Sequence, residues 1–246
     1  MSPEDVPPMV QPSLLSQVVF VAIVLGVVMA LVYAVRWTGR VRGDAPPIVA
    51  RDVRRATLVL VAYLGLTAAV SSSGVLERGG TPPPLMVFLG ACNLVALGVA
   101  LSPLGRRLAS VLPVAAIVGF QAFRLPLELV LHRWYVEGVL PVTMTYAGRN
   151  FDILSGVLAI PVALWAWKGR APRWAIAAYT VVGLGLLLRV ASIAVLSSPL
   201  PLRRYFEGPP VQLAAYVPTV WIVPFCVGGA LAGHVIALRW LRMHRL

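Results

Sequence analysis

Charge is what this sequence has least of. Only 12% of its 246 residues are charged and 59% are hydrophobic, whereas soluble domains are about a quarter charged and about half apolar. That balance, with a mean hydropathy of +0.85, excludes an ordinary soluble fold and makes the bilayer the solvent. Cysteine is nearly absent: Cys92 and Cys226 each lie inside an apolar run, which excludes a disulfide framework and a thiolate zinc site. The three histidines, His132, His234 and His244, are spread along the chain. We read His132 at one membrane interface and His234 near the other, too far apart to ligate one haem, so no metal and no cofactor are expected. Lysine occurs once, at Lys168, and the last hydrophobic run has none to carry a retinal Schiff base. Phosphate-cradling glycine loops, HExxH and GxSxG are missing as well.

What charge there is runs strongly positive, +12 at pH 7. Nearly all of it is arginine at the ends of apolar runs, which excludes nucleic acid as the partner and names the lipid bilayer instead. The amino-terminal MSPEDVPPMVQPS lacks the basic region and cleavage site of a signal peptide, so it is expected in the mature protein.

Hydrophobic runs predict seven membrane spans, about 14–35, 57–76, 84–102, 109–131, 152–167, 174–196 and 212–238, forming one transmembrane domain over 1–246. Fourteen Lys and Arg residues fall in the segments this layout makes cytoplasmic, five in the outer ones. The fold expected is therefore an all-α seven-helix bundle with its amino terminus outside and its carboxyl terminus in the cytoplasm. Pro113 and Pro126 within the fourth span, and Pro218 and Pro224 within the seventh, predict kinks. Gly229 and Gly233 stand at GxxxG spacing and offer a face for close approach of another helix, a possible protein partner included.

Ionisable residues inside a membrane are expensive and by default mark function. Gln121, Arg124, Glu128 and His132 are spaced three, four and four apart, which lines them on one face of the fourth span. Asn150 and Asp152 enter from the same outer end, Arg189 lies at a similar level in the sixth span, and Trp221 sits between two prolines where it can face a cavity. At 1.5 Å per residue, Arg124 and Arg189 are placed roughly 21 to 23 Å across a core of about 30 Å. The expected site is an outer-leaflet cavity in which the arginines hold an anionic or polarised group and Glu128 or Asp152 moves protons. The other reading is that these charges simply pair to fix the bundle.

The residues also carry a resemblance. Gly138, Pro141, Met144, Thr145, Gly148, Asn150, Phe151, Asp152 and Ile153, preceded by Arg124 and Glu128, resemble a family of uncharacterised bacterial integral membrane proteins. That family's pattern is R-x-x-x-E followed by G-x-x-P-x-x-M-T-x-x-G-x-N-F-D-I. The last span, with Pro218, Trp221, Pro224 and His234, is similar to the family's carboxyl end. The resemblance implies a bacterial inner-membrane protein and a shared site, but no reaction. Three functions follow as expectations: binding of a small anionic or lipid-like ligand by a receptor, carrier or transport component; carboxylate acid–base chemistry on a lipid or isoprenoid, with Glu128 or Asp152 catalytic; or a structural role in a membrane complex. The loop from Trp134 to Asn150 is a candidate lid.

Overall fold

The computed structural model describes residues 7–244; Glu4 and Asp5, expected on the outer side, and Arg245 lie outside the described residues. The described chain is all-helical. Its α-helices are α1 (Leu14–Val41), α2 (Pro46–Ser72), α3 (Pro84–Leu101), α4 (Pro103–Val111), α5 (Val114–Gly119), α6 (Arg124–Val136), α7 (Ile153–Trp167), α8 (Arg173–Ser197) and α9 (Gly228–Met243). Six stretches are long and apolar enough to cross a membrane: α1, α2, α3, Val114–Val136, α8 and Thr219–Met243. The expected fifth span, α7, is apolar but shorter.

Prolines explain most of the departures from the expected spans. A residue before proline is pushed out of the helical region. Leu112 accordingly is extended (ψ 137°) ahead of Pro113, so the expected fourth span breaks there, and Pro113 starts a helix instead of kinking one. The piece cut off is α4, capped by the Ser102 hydroxyl, which accepts from the Leu104 N–H at 3.1 Å. Pro126 falls in the first turn of α6 and cannot bond the carbonyl of Ala122; the four residues before α6, Phe120–Phe123, wind as a tighter 3₁₀ turn. The last span starts seven residues later than expected, at Thr219. It runs through a 3₁₀ turn and a π-helical segment, Val223–Val227, that absorbs Pro224.

Hydrophobicity does not hold helices together in lipid, where outside and inside are equally apolar; close packing and polar contacts do. The large apolar side chains are therefore distributed over both faces: Leu14, Val18, Leu58 and Leu66 are exposed, while Phe20, Trp134, Leu140 and Phe225 form the centre. Trp134 packs against Phe20 with ring centroids 5.2 Å apart and ring planes tilted by 53°, and donates to the Ser16 hydroxyl at 3.0 Å. The Thr219–Met243 stretch is the most buried of the six and α2 the least.

The element ends gather on two sides. On the arginine-rich side, Arg107 of α4 pairs with Asp44 and Asp52, Arg239 donates to the carbonyls of Ala100 (2.6 Å) and Ser102 (3.0 Å), and Arg173 donates to that of Leu241. On the opposite side, Glu137 accepts from the Ser13 N–H (2.9 Å) and from Arg133 (2.8 Å). Tyr216 there donates to Glu77 at 2.7 Å.

Candidate functional site

Two elements deliver charge to one point in the bundle. Arg124 is the first residue of α6, directly after the 3₁₀ turn. Asp152 immediately precedes α7, where the unpaired amides and dipole of a helix amino terminus favour a carboxylate. The Arg124 guanidinium bonds both Asp152 oxygens, Nε–H donating to Oδ2 at 2.7 Å and Nη2 to Oδ1. Its Nη1 donates to the Gly183 carbonyl of α8 at 3.3 Å and meets Nε2 of His234 in α9 at 3.1 Å. Four helices of the bundle thus meet on one arginine, 1% exposed. At a membrane centre an unpartnered charge costs about 3 kcal/mol or more, so this saturation of partners is what lets it stay.

Asn150 organises the carboxylate side. Its Oδ1 accepts the Asp152 N–H at 2.9 Å, and its Nδ2 donates to Glu128 Oε2 at 2.8 Å and to the Met144 carbonyl at 3.0 Å. The Ser155 hydroxyl donates to Asp152 Oδ1 at 3.2 Å, and Tyr179 donates to the Ser155 carbonyl at 3.1 Å. Glu128, 1% exposed, makes no ion pair, and its Oε1 receives no hydrogen bond among the described residues.

Two glycines make the meeting possible. A Cβ at Gly156 would run into the backbone of Leu125, so α7 lies directly on the start of α6. A Cβ at Gly183 would stand 2.5 Å from Cε1 of His234, so α8 yields the space the imidazole occupies.

The cluster lies deeper than the sequence reading placed it. Arg124 is ten residues from Val114, Gly183 ten from Arg173 and His234 nine from Met243, each about 15 Å from the arginine-rich side and therefore near the middle of a core of about 30 Å. The break at Pro113 accounts for the difference, because it removes a turn from below Arg124.

Of the residues singled out from sequence, Arg124, Glu128, Asn150 and Asp152 come together. Gln121 is buried one turn below Arg124, where its Nε2 donates to the Ala230 carbonyl at 3.0 Å and its Oε1 has no partner. The remaining three lie elsewhere. Arg189, expected as the opposite wall, is exposed, about 9 Å farther out than Gly183, with Nε on the Arg149 carbonyl at 2.9 Å and its guanidinium 4.8 Å over the Phe151 ring. His132 stacks on Tyr146 with centroids 4.5 Å apart. Trp221 donates to the Leu64 carbonyl at 3.2 Å and packs into the core. The sequence reading missed Gly183 and assigned His234 to an interface; counting residues from the basic end of each span puts both at the level of Arg124.

Beside the cluster is a cavity of about 130 Å³. Arg124, Glu128 and Asp152 line one part of it, and the rest is almost entirely apolar, with Leu89, Leu187, Ala194 and Val223 among its walls. Asn93 of α3 also lines it, nearer the Leu89 wall, with its Nδ2 donating to the Leu89 carbonyl at 2.8 Å and its Oδ1 accepting no hydrogen bond among the described residues. α3 and α8 both pack on α9 and hardly touch each other, so the cavity lies in the gap between them. A larger cleft of about 570 Å³ on the side opposite the arginine-rich one includes Glu77, Arg203 and Tyr216 and shares the Leu85 wall.

The loop proposed as a lid is packed. Val139, Leu140, Thr143, Met144, Thr145 and Asn150 are all buried, Met144 lines the cavity, and Gly148 sits where any Cβ would strike the Val142 carbonyl. Gly229 and Gly233 make their close approach within the chain, to Val27, Phe120 and Gln121.

Fold and site together define a multi-pass helical membrane protein built round a buried charge cluster. The chain belongs to the family described as Domain of unknown function (DUF8737), whose model matches residues 82–242 and so takes in every residue of the cluster. No curated protein and no solved structure matches it.

Proposed function

We propose that this is a bacterial inner-membrane protein of seven crossings, amino terminus outside and carboxyl terminus in the cytoplasm, that holds a lipid-like ligand in the cavity between α3, α8 and α9 as a receptor or carrier. The observation that carries the reading is that three of the chain's buried charged side chains line the wall of one apolar cavity, which lies between two helices that hardly touch. Ion pairing alone would account for Arg124 and Asp152; it leaves Glu128, with its bare oxygen, unexplained. Of the two ligand classes expected from sequence, small anionic or lipid-like, the apolar walls favour the lipid-like one. The alternation of element ends between two sides, with α7 as a short crossing, supports the topology.

Two experiments test this. Gly79→Cys is expected to react with an impermeant thiol reagent in intact cells, and Gly43→Cys and Gly169→Cys only after permeabilisation; the reverse pattern would overturn the orientation. Ala194→Trp, which fills the cavity, is expected to abolish co-purification of lipid by the protein extracted in mild detergent. Equal lipid retention by that variant would sink the ligand reading.

A further inference from the structure

We propose that the occupant is a bilayer-resident alcohol: an uncharged amphiphile whose hydroxyl sits on Glu128 Oε1 and whose hydrocarbon chain leaves between α3 and α8. This rests on the cavity reading above and sharpens it to a headgroup class.

Arg124 has five N–H donors, and four are spent on Asp152, Gly183 and His234. Its charge is spent too, because Asp152 balances it as a bidentate pair. The fixed charge facing the cavity is therefore zero with Glu128 protonated and negative with it ionised, and in neither state does it attract an anion. Bringing a carboxylate or phosphate into such a site removes its hydration without a counter-charge, which is heavily unfavourable.

What the wall does offer is Glu128 Oε1. Because Asn150 donates to Oε2, Oε1 is the oxygen that either accepts, when the carboxyl is ionised, or carries the proton and donates. A hydroxyl both donates and accepts, so it satisfies Oε1 in either state and brings no charge into an apolar pocket. A protonated amine only donates, so it matches the ionised state alone and must lose its own hydration.

The volume fits a headgroup and the first carbons of a chain. An apolar cavity of about 150 Å³ holds one benzene ring, and this one is about 130 Å³. A longer chain must continue into the bilayer, and the α3–α8 gap is its exit.

The test uses four photoreactive probes of identical chain, ending in a hydroxyl, an amine, a carboxylate or a phosphate, on the intact protein in lipid nanodiscs. The alcohol is expected to label α3 and α8 residues of the cavity more than about tenfold above the two anions, because one hydrogen bond to a carboxyl group supplies about that ratio and the anions also lose hydration without a counter-charge. Glu128→Leu is expected to lower alcohol labelling about tenfold, by the one hydrogen bond it removes, while the anions stay excluded. Competition on the wild-type protein, unlabelled alcohol against unlabelled acid, reads the same preference without a variant. If the carboxylate or phosphate labels best, the headgroup assignment is wrong and the cavity reading stands; if the amine does, Glu128 acts as an anion and the alcohol is likewise displaced. If no probe labels the cavity, or if Ala194→Trp changes nothing, the cavity reading itself falls.

Discussion

Asp152→Asn keeps the shape of the buried side chain and removes its charge, which makes it the sharpest probe of the cluster. A bidentate guanidinium–carboxylate pair has charge centres about 4 Å apart, worth about 4 kcal/mol at an effective dielectric near 20. Both partners are almost fully buried, the side chains 1% and 5% exposed, so solvent screens little of it. Breaking such a pair from one side costs about 3–5 kcal/mol because the survivor is left as an uncompensated charge. Replacing both partners by apolar residues of similar volume is commonly neutral or stabilising. Asp152→Asn, Asp152→Leu and Arg124→Met are therefore each expected to lower unfolding free energy by about 3–5 kcal/mol, while Arg124→Met with Asp152→Leu recovers most of the loss. Equilibrium unfolding by increasing SDS fraction in mixed micelles, followed by circular dichroism, completes the double-mutant cycle. Single variants that each cost under about 1 kcal/mol, or a double variant as damaged as the sum of the singles, would refute the view that this pair anchors α6 to α7.

The same assay is expected to separate the two arginines: Arg189→Leu, which loses one bond to a carbonyl and a ring contact at an exposed position, stays within about 1 kcal/mol of wild type. Gly156→Ala drives a methyl into the backbone of Leu125 and is expected to cost at least the 1–3 kcal/mol typical of overpacking, with purification yield falling in parallel; wild-type stability would show that α7 does not lie on α6. For Glu137, burial pushes the carboxyl up, but hydrogen bonds from the Ser13 hydroxyl and N–H, Arg133 and Ser16 outweigh it and hold it at about 2, down from 4.5. A lowered folded value contributes stability above the ordinary value and loses it on acidification. The tie between the start of α1 and the end of α6 is thus expected intact at pH 5 and lost between about 4.5 and 2, read as hydrogen exchange of the Ser16 and Gln17 amides, with Glu137→Gln loose at every pH.

Much of this molecule could be read without coordinates because the bilayer imposes such narrow rules. Run length and arginine placement located the apolar segments, and the spacing of Arg124 and Glu128 put them on one face, which is where they are. Asn150 and Asp152 were legible because a polar pair at the start of an apolar run has few reasons to be there. The failures share a cause. Whether Pro113 kinks a helix or begins one depends on whether Ser102 caps a separate turn, and that caps choice is invisible in hydropathy. Arg189 and Arg124 look alike as residues in a hydrophobic run; only packing decides that one faces inward and the other snorkels over Phe151 toward the loop. His234 lies 110 residues from Arg124, and nothing local records that pairing.

On the proposed reading, a site entered sideways between α3 and α8 would measure its ligand in units of membrane area. Occupancy then tracks the mole fraction of an amphiphile among its neighbouring lipids, and a compound too soluble in water never reaches the doorway. Selection by partition acts before any residue is touched, so the few polar atoms around Glu128 have only to distinguish among molecules the bilayer has already chosen.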